Sequence, residues 1–296
     1  MAHQGELNKL KITVIAEDSV LYESPYLGQH GISFLITAER NSIQKNVLVD
    51  VAQNSSALLE NMHMLDITPS SIDAVVLTHC HYDHTQGLAK VLRKIGKKDI
   101  PVIGHPDIFR LNFITNPYLR PVGVMDGDRQ ADIENSGGSL YLTKNPLEIM
   151  PGLFTTGEVE RTTDFEEVGI SLSTIENGQV KPDLMLDDIS LIANVKEKGV
   201  VIATGCSHAG IVNIAKQAVK LVGTDKIHGI IGGFHLIEAT GSVKDRIKKT
   251  AQALKKFDPD WIYAGHCTGF LAQVEFYNTF KDRFTPLNTG MIVEIP

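Results

Sequence analysis

The 296-residue chain has little of what marks secreted, membrane-spanning or nucleic-acid-wrapping proteins. Its three cysteines, Cys80, Cys206 and Cys267, form no CxxC pair and are odd in number, which argues against a disulfide framework and for a reducing compartment. Long apolar runs are missing: VVIAT at 200–204 is too short and IVNIAKQAVKLV at 211–222 is broken by charge, so no transmembrane helix is expected. The N-terminal MAHQGELNKLKITVIAE mixes charges with apolar residues and offers no continuous apolar stretch before a cleavage site, which makes cytoplasm the expected location. Basic residues are outnumbered, 28 Lys and Arg against 35 Asp and Glu, for a net charge of −7. That balance leaves no general surface for nucleic acid and makes a small molecule the expected partner. The lysine-rich stretch 244–256 alternates with apolar residues at helical spacing and reads as the solvated side of an amphipathic helix. Homo-oligomerisation is left open.

What is present is 43% hydrophobic content, ample for a packed core, arranged as strands meeting helices. LKITVIA (10–16), GISFLIT (31–37), NVLVDV (46–51) and IDAVVLT (72–78) are short, β-branched and bounded by turn formers, as buried strands are. NSSALLENMHML (54–65) places Leu58, Leu59, Met62 and Leu65 on one helical face, with His63 off it as a surface residue, and TQGLAKVLRKIG (85–96) predicts another helix. From about 105 to 185 the pattern blurs into proline- and glycine-rich segments, with SLYLT (139–143) and LFTTG (153–157) reading as short strands set among long loops, which predicts a loop-rich insertion that covers the site. Order then returns: a hairpin 189–195 and 199–204, helix 209–222, strand 226–233, helix 242–257, strand 260–265, a helix from about 268 to 280 and a final strand 290–295. No repeat or linker interrupts the chain, so one α/β domain is expected, with two mixed sheets sandwiched between helices.

Each cysteine lies within two residues of a histidine, and the segment from Thr78 to His84 reads THCHYDH. At an extended strand end, residues two apart point the same way, so His79 and His81 can chelate one cation while Cys80 faces away. Asp83 and His84 follow at the turn into a helix, placed for a second cation. Imidazole with carboxylate suits zinc, iron or manganese, and two such ions about 3.5–4 Å apart would lower the pKa of a shared water toward neutrality. Cys80 and Cys267 are expected to be small buried residues, whereas for Cys206 burial and ligation stand nearly level. His30, isolated before a strand, is expected to be structural. His105 before Pro106 reads as a turn residue, and His3 and His228 carry no functional reading.

The motif HxHxDH, matched by His79, His81, Asp83 and His84, resembles the metallo-β-lactamase superfamily, and with it the αββα sandwich. The strand ending at Asp50 stands where that superfamily has an aspartate before the motif. QHGISFLI (29–36), TGCSHAGIVN (204–213), IIGGFHL (230–236) and AGHCTG (264–269) extend the resemblance to one branch, the 7,8-dihydropterin-6-methyl-4-(β-D-ribofuranosyl)aminobenzene-5′-phosphate synthases. The superfamily's hydrolases supply a later histidine to the first metal, a bridging aspartate in a TGD, and a last histidine to the second metal. Here no histidine lies between His105 and His208, and TGD is replaced by Thr204-Gly205-Cys206. His208 therefore stands as the late ligand and His266 as the last one. The bridging position stays open among Cys206, Asp187, Asp188 and a hydroxide alone. Phe234 and His235, after a double glycine, are expected to contact substrate or, for His235, to serve as an exchangeable ligand.

The resemblance implies a dinuclear centre in which a hydroxide attacks a carbonyl or phosphoryl group, with Asp83 as catalytic proton acceptor. Hydrolysis and group transfer are both compatible with it, and the branch suggests a phosphorylated pterin-like substrate. Arg110, Arg120, Arg129 and Arg161 are candidate phosphate contacts. Two rival classes are a di-iron redox enzyme, whose relatives carry glutamate where this chain has His81 together with an added flavin domain, and a non-catalytic metal-dependent sensor.

Overall fold

The computed structural model describes residues 5–168, 170–237 and 243–296. His3, and Ser242 at the start of the helix expected at 242–257, lie outside the described residues. In chain order, β1 (Lys9–Ala16), β2 (Ser33–Arg40), β3 (Ile43–Val49), helix α1 (Ser55–Met64), β4 (Ala74–Val76), helices α2 (Tyr82–Thr85) and α3 (Leu88–Ile95) and β5 (Ile100–Gly104) form the first half. The middle holds β6 (Phe113–Ile114), β7 (Arg120–Pro121), helix α4 (Gln130–Asn135), β8 (Gly138–Leu142), β9 (Glu148–Met150), β10 (Leu153–Thr155), β11 (Ser173–Glu176) and β12 (Gln179–Pro182). The last part runs through β13 (Ser190–Val195), β14 (Gly199–Thr204), helix α5 (Ile211–Val222), β15 (Ile227–Gly233), helix α6 (Val243–Lys255), β16 (Trp261–Gly265), helix α7 (Phe270–Phe280), β17 (Phe284–Pro286) and β18 (Ile292–Ile295).

Two seven-stranded mixed sheets result, β18-β1-β2-β3-β4-β5-β8 and β17-β16-β15-β14-β13-β10-β9. Period-two alternation divides the side chains of each strand between two cores. Leu10, Ile12 and Val14 of β1 meet Leu191, Ala193, Val201 and Ala203 of β13 and β14 between the sheets. On the outer face of the first sheet, Leu35 and Leu48 pack under Leu58 and Met62 of α1 and Leu88, Val91, Leu92 and Ile95 of α3. Outside the second sheet, Ile192, Val200 and Ile202 are covered by α5, α6 and α7 through Ile214, Ala251, Leu254 and Phe276. The layers are thus helix, sheet, sheet, helix. Among the described residues, no helix is long and apolar enough to cross a membrane.

In the stretch 105–185 the expected strands at 139–143 and 153–157 are present as β8 and β10, but they belong to the two main sheets and not to a separate insertion. β8 pairs in parallel with β5 in the first sheet, and β9 and β10 extend the second through β13. Only β6, β7, β11 and β12 form a separate four-stranded sheet. These strands are two to five residues long and are spaced by Pro146 and Pro151, too short for a periodic signal to build up in the sequence. The helix expected at 85–96 is divided into α2 and α3 at Gly87, whose φ of 90° no β-carbon-bearing residue adopts comfortably.

Candidate metal centre

Strand ends converge on one edge of the sandwich. β1 delivers Glu17 and Asp18, β3 delivers Asp50, β4 leads into Thr78 and His79, β14 into Gly205 and Cys206, and β16 into His266. Close approach between the two sheets depends on Gly205: a β-carbon there would lie 2.1 Å from Thr78 Oγ1 and 3.0 Å from Asp50 Oδ2. Glycine is what lets the turn carrying Cys206 press against the motif segment.

Three histidines form one group. His79 Nε2 and His81 Nδ1 lie 3.2 Å apart, and the His208 ring centre is 4.9 Å from that of His79 and 4.8 Å from that of His81. One ligand atom each of His79, Cys206 and His208 fall within 4.8 Å of one another. Asp83, His84, Cys206 and His266 satisfy the same limit as a second group. Asp83 Oδ2 sits 3.3 Å from His266 Nε2 and 3.5 Å from His84 Nε2, and His84 Nε2 is 3.1 Å from Cys206 Sγ. The thiol of Cys206 is therefore common to both groups.

The far ring nitrogens show which atoms are left for a cation. His84 Nδ1 donates to Asp50 Oδ2 at 2.7 Å, His266 Nδ1 to Asp18 Oδ2 at 2.5 Å, and His208 Nδ1 faces the Val168 carbonyl at 3.5 Å. His79 Nδ1 lies 3.0 Å from Thr78 Oγ1, whose hydroxyl donates to Asp50 Oδ2 at 2.7 Å. An oxygen partner on Nδ1 leaves the lone pair on Nε2 and aims it, the usual support of a metal-binding imidazole. His208 Nε2 is buried without a hydrogen-bond partner among the described residues. An orphaned buried nitrogen costs about 1–3 kcal/mol, and a divalent cation satisfies it. The donor set of imidazole, carboxylate and thiol fits zinc, iron or manganese.

The two groups differ in charge. Burial holds His79 and His208 well below the ordinary imidazole range and brings His81 down to about 4, so all three are neutral, the form that binds metal. Burial opposes the charge on His84 as well, but Asp83 and Asp50 overcome it and raise His84 to about 9. His266 is raised against burial by Cys267, Asp18 and Asp83. Asp83 in turn is held ionised against burial, chiefly by His84 and His266. Burial pushes the Cys206 thiol up, so ligation by its sulfur requires a cation to expel the proton.

The rivals for the bridging position lie outside both groups. Asp187 Oδ2 accepts from the Cys80 amide at 2.8 Å and Oδ1 pairs with Arg110 at 2.8 Å. Asp188 Oδ2 accepts from the Ala209 amide at 2.8 Å, which braces the turn carrying His208, while its Oδ1 is buried without a hydrogen-bond partner among the described residues and burial raises the carboxyl to about 7. Cys80 lies buried in the core beneath the first sheet, facing away from the site as alternation requires. Cys267 is buried too, but its sulfur accepts from the His235 amide at 3.3 Å, a polar duty its sequence context did not suggest.

His235 is buried at φ 42°, its ring centre 4.2 Å from that of His208, and Phe234 packs its ring against Phe276 at 5.6 Å. His30, expected to be structural, stands half exposed at the mouth, with Nε2 3.3 Å from Asp83 Oδ2 and Nδ1 3.0 Å from Asp18 Oδ1. Asp18 and Glu17, which also accepts from the His266 amide, were not recognised in the sequence. Two adjacent acids directly after a strand were the available signal. Two of the four candidate arginines are ion-paired, Arg110 in a buried network with Asp183 and Asp187 and Arg129 with Asp126, whereas Arg161 Nη2 donates to the carbonyls of Leu184 and Met185 and its Nε is buried without a partner among the described residues. Arg110 is thus a structural cation and not a free phosphate contact. Arg120 lies half buried in β7.

Known proteins resemble the chain throughout its length. A profile described as a β-lactamase superfamily domain matches residues 45–122, which hold Asp50 and the whole THCHYDH segment. A protein of Methanocaldococcus jannaschii, 7,8-dihydropterin-6-methyl-4-(β-D-ribofuranosyl)-aminobenzene-5′-phosphate synthase, is 43% identical over 293 residues, 98% of each chain. An uncharacterised protein of the same archaeon is 34% identical over 260 residues, 87% of this chain and 91% of that one. Among solved structures, a metal-dependent hydrolase of the β-lactamase superfamily superposes with a TM-score of 0.77 at 24% identity, covering 97% of this chain and 99% of that one.

Proposed function

Because the chain belongs to the metallo-β-lactamase superfamily, in the branch that includes the archaeal dihydropterin-linked phosphate synthase, we propose that it is a metal-dependent hydrolase or group transferase with a dinuclear centre. His79, His81 and His208 would hold one divalent ion, and Asp83, His84 and His266 the other. Cys206 would stand between them in place of a bridging carboxylate. Zinc is the first choice, with iron and manganese compatible with the donors. The bound ions would polarise the oxygen under attack and bring the pKa of a water toward neutrality. The observation that carries the reading is the position of Cys206 Sγ, shared by two groups of ligand atoms each gathered within 4.8 Å.

The chain's own residues supply the remaining steps. Asp83 stays ionised beside His84 and His266, so Oδ2 is the acceptor for the proton of the attacking water or substrate hydroxyl. Asp50 and Thr78 fix the rings of His84 and His79, and Asp18 fixes His266, so the ligands need little reorganisation when loaded. The relative's name joins a dihydropterin to a phosphorylated ribofuranosylaminobenzene, and a phosphorylated pterin-like molecule is the substrate class we assign to this chain.

The test is turnover of phosphodiester, thioester, lactam and phosphorylated pterin substrates by natively purified, metal-loaded protein, alongside Asp83→Asn. Loss of a general base should lower turnover by roughly 10²–10⁴-fold. Metal retention in that variant would separate proton transfer from ligation, and a natively purified wild type that is active without metal would contradict the reading.

A further inference from the structure

Beside the metal centre lies a half-open cleft that no step above uses. It is a shallow, partly open depression lined by Glu166, Ser207, Phe234, His235, Arg246 and Thr250. Its polar lining is unsatisfied. Among the described residues, Arg246 Nε, Thr250 Oγ1 and His235 Nδ1 are buried without hydrogen-bond partners. Thr250 is 1% exposed and His235 7%, so water does not make up the loss by surface contact. Arg246 spends Nη2 on the His235 carbonyl at 2.7 Å, and among the described residues no carboxylate makes an ion pair with it.

The geometry points to an anion subsite: Arg246, Thr250 and His235 together receive one phosphate group of the substrate. Arg246 and Thr250 are one turn apart on α6, so their side chains share a face. A guanidinium, a hydroxyl and a neutral imidazole are all donors, and a tetrahedral phosphate offers several acceptor oxygens. The His235 ring lies 4.2 Å from that of His208, so a phosphate held here places the rest of its molecule against the first histidine group.

Two acids border the cleft. The Glu166 carboxylate is turned to the start of α5, where it accepts the amides of Val212 at 2.8 Å and Asn213 at 2.9 Å. Glu167 is exposed, and its backbone carbonyl, not its carboxylate, meets Arg246 at 3.4 Å. Neither carboxylate occupies the donors of the subsite.

The inference rests on the proposed phosphorylated substrate, but its test does not need turnover or metal. Inorganic phosphate is titrated calorimetrically into chelator-stripped full-length protein in a sulfonate buffer, where phosphate has no cation to coordinate. Wild type should bind. Arg246→Gln should weaken binding by about tenfold or more, the usual worth of a hydrogen bond to a charged group, with Arg246→Lys intermediate. Thr250→Val, nearly isosteric, should weaken it by about threefold to tenfold and decides the matter should Arg246→Gln fail to fold. No binding by wild type, or equal binding by wild type and Thr250→Val, would overturn the subsite. Metal content of the same preparations before stripping reads the dinuclear reading separately, so the two can fail independently.

Discussion

Cys206 is where this chain departs most from the hydrolases it resembles, and replacing it by alanine is the most informative single change. Cys206 is 2% exposed, and its sulfur lies 3.1 Å from His84 Nε2 and is the one atom shared by the two clusters of ligand atoms. Groups that merely orient a metal ligand are worth about 10- to 100-fold in affinity. A ligand shared by two ions should therefore cost at least about 100-fold, or ~2.7 kcal/mol, when removed. Cys206→Ala should retain its fold, since one buried sulfur is lost from a core of two large sheets, yet hold less metal at a fixed chelator concentration. Cys206→Asp should recover part of the loss by restoring a carboxylate. Plasma mass spectrometry after dialysis against a graded chelator gives the affinities. In cobalt-substituted protein, sulfur-to-metal charge-transfer absorption should be present in the wild type and absent from Cys206→Ala. Unchanged affinity in the alanine variant, or no sulfur band in the wild type, would refute the assignment of Cys206 to the ligands.

Other consequences are equally direct. Asp50→Asn weakens the support of His84 and disturbs two hydrogen bonds from Thr78, at 2.8 and 2.7 Å; metal affinity should fall about 10- to 100-fold by the same competition assay. Gly205→Ala forces a methyl to within 2.1 Å of Thr78 Oγ1, which should destabilise the fold by about 1–3 kcal/mol and lower Tm by about 2–4 °C per kcal/mol in a thermal melt. The pH dependence follows from His84, raised from 6.5 to about 9 in the metal-free protein. Its ion pairs add stability that is complete below about 6.5 and lost as pH rises through about 9, whereas metal must displace that proton, so metal affinity should rise with pH over the same window. Calorimetric titration of zinc in buffers of different ionisation enthalpy should show proton release at pH 7. Absence of release would contradict the charge assignment.

The first half of the candidate site was legible because its residues are local. His79 and His81 are two apart on a strand end, and Asp83 and His84 begin the next helix, so elementary geometry brings them together. His208 and His266 could be placed through strand-end position and resemblance. The choice among Cys206, Asp187 and Asp188 could not be made, because it depends on partners remote in sequence: Arg110 and the Cys80 amide for Asp187, the Ala209 amide for Asp188. Asp18 was missed for the same reason, as it meets His266 across 248 positions of chain. In the fold, the long strands and helices were read from periodicity and β8 and β10 from their short strand-like segments, whereas β9 and the sheet that each of the three joins were not. Their membership of the two sheets is settled by pairing with β5 and β13 and not by their own short sequences.

The central claim is that two cations share Cys206. An anomalous-scattering map from crystals of natively loaded protein tests it most directly. Two peaks are expected about 3.5–4 Å apart, one against His79, His81 and His208, the other against Asp83, His84 and His266, with Cys206 Sγ in contact with both. A single peak, or two peaks with Cys206 Sγ bound to neither, would contradict it.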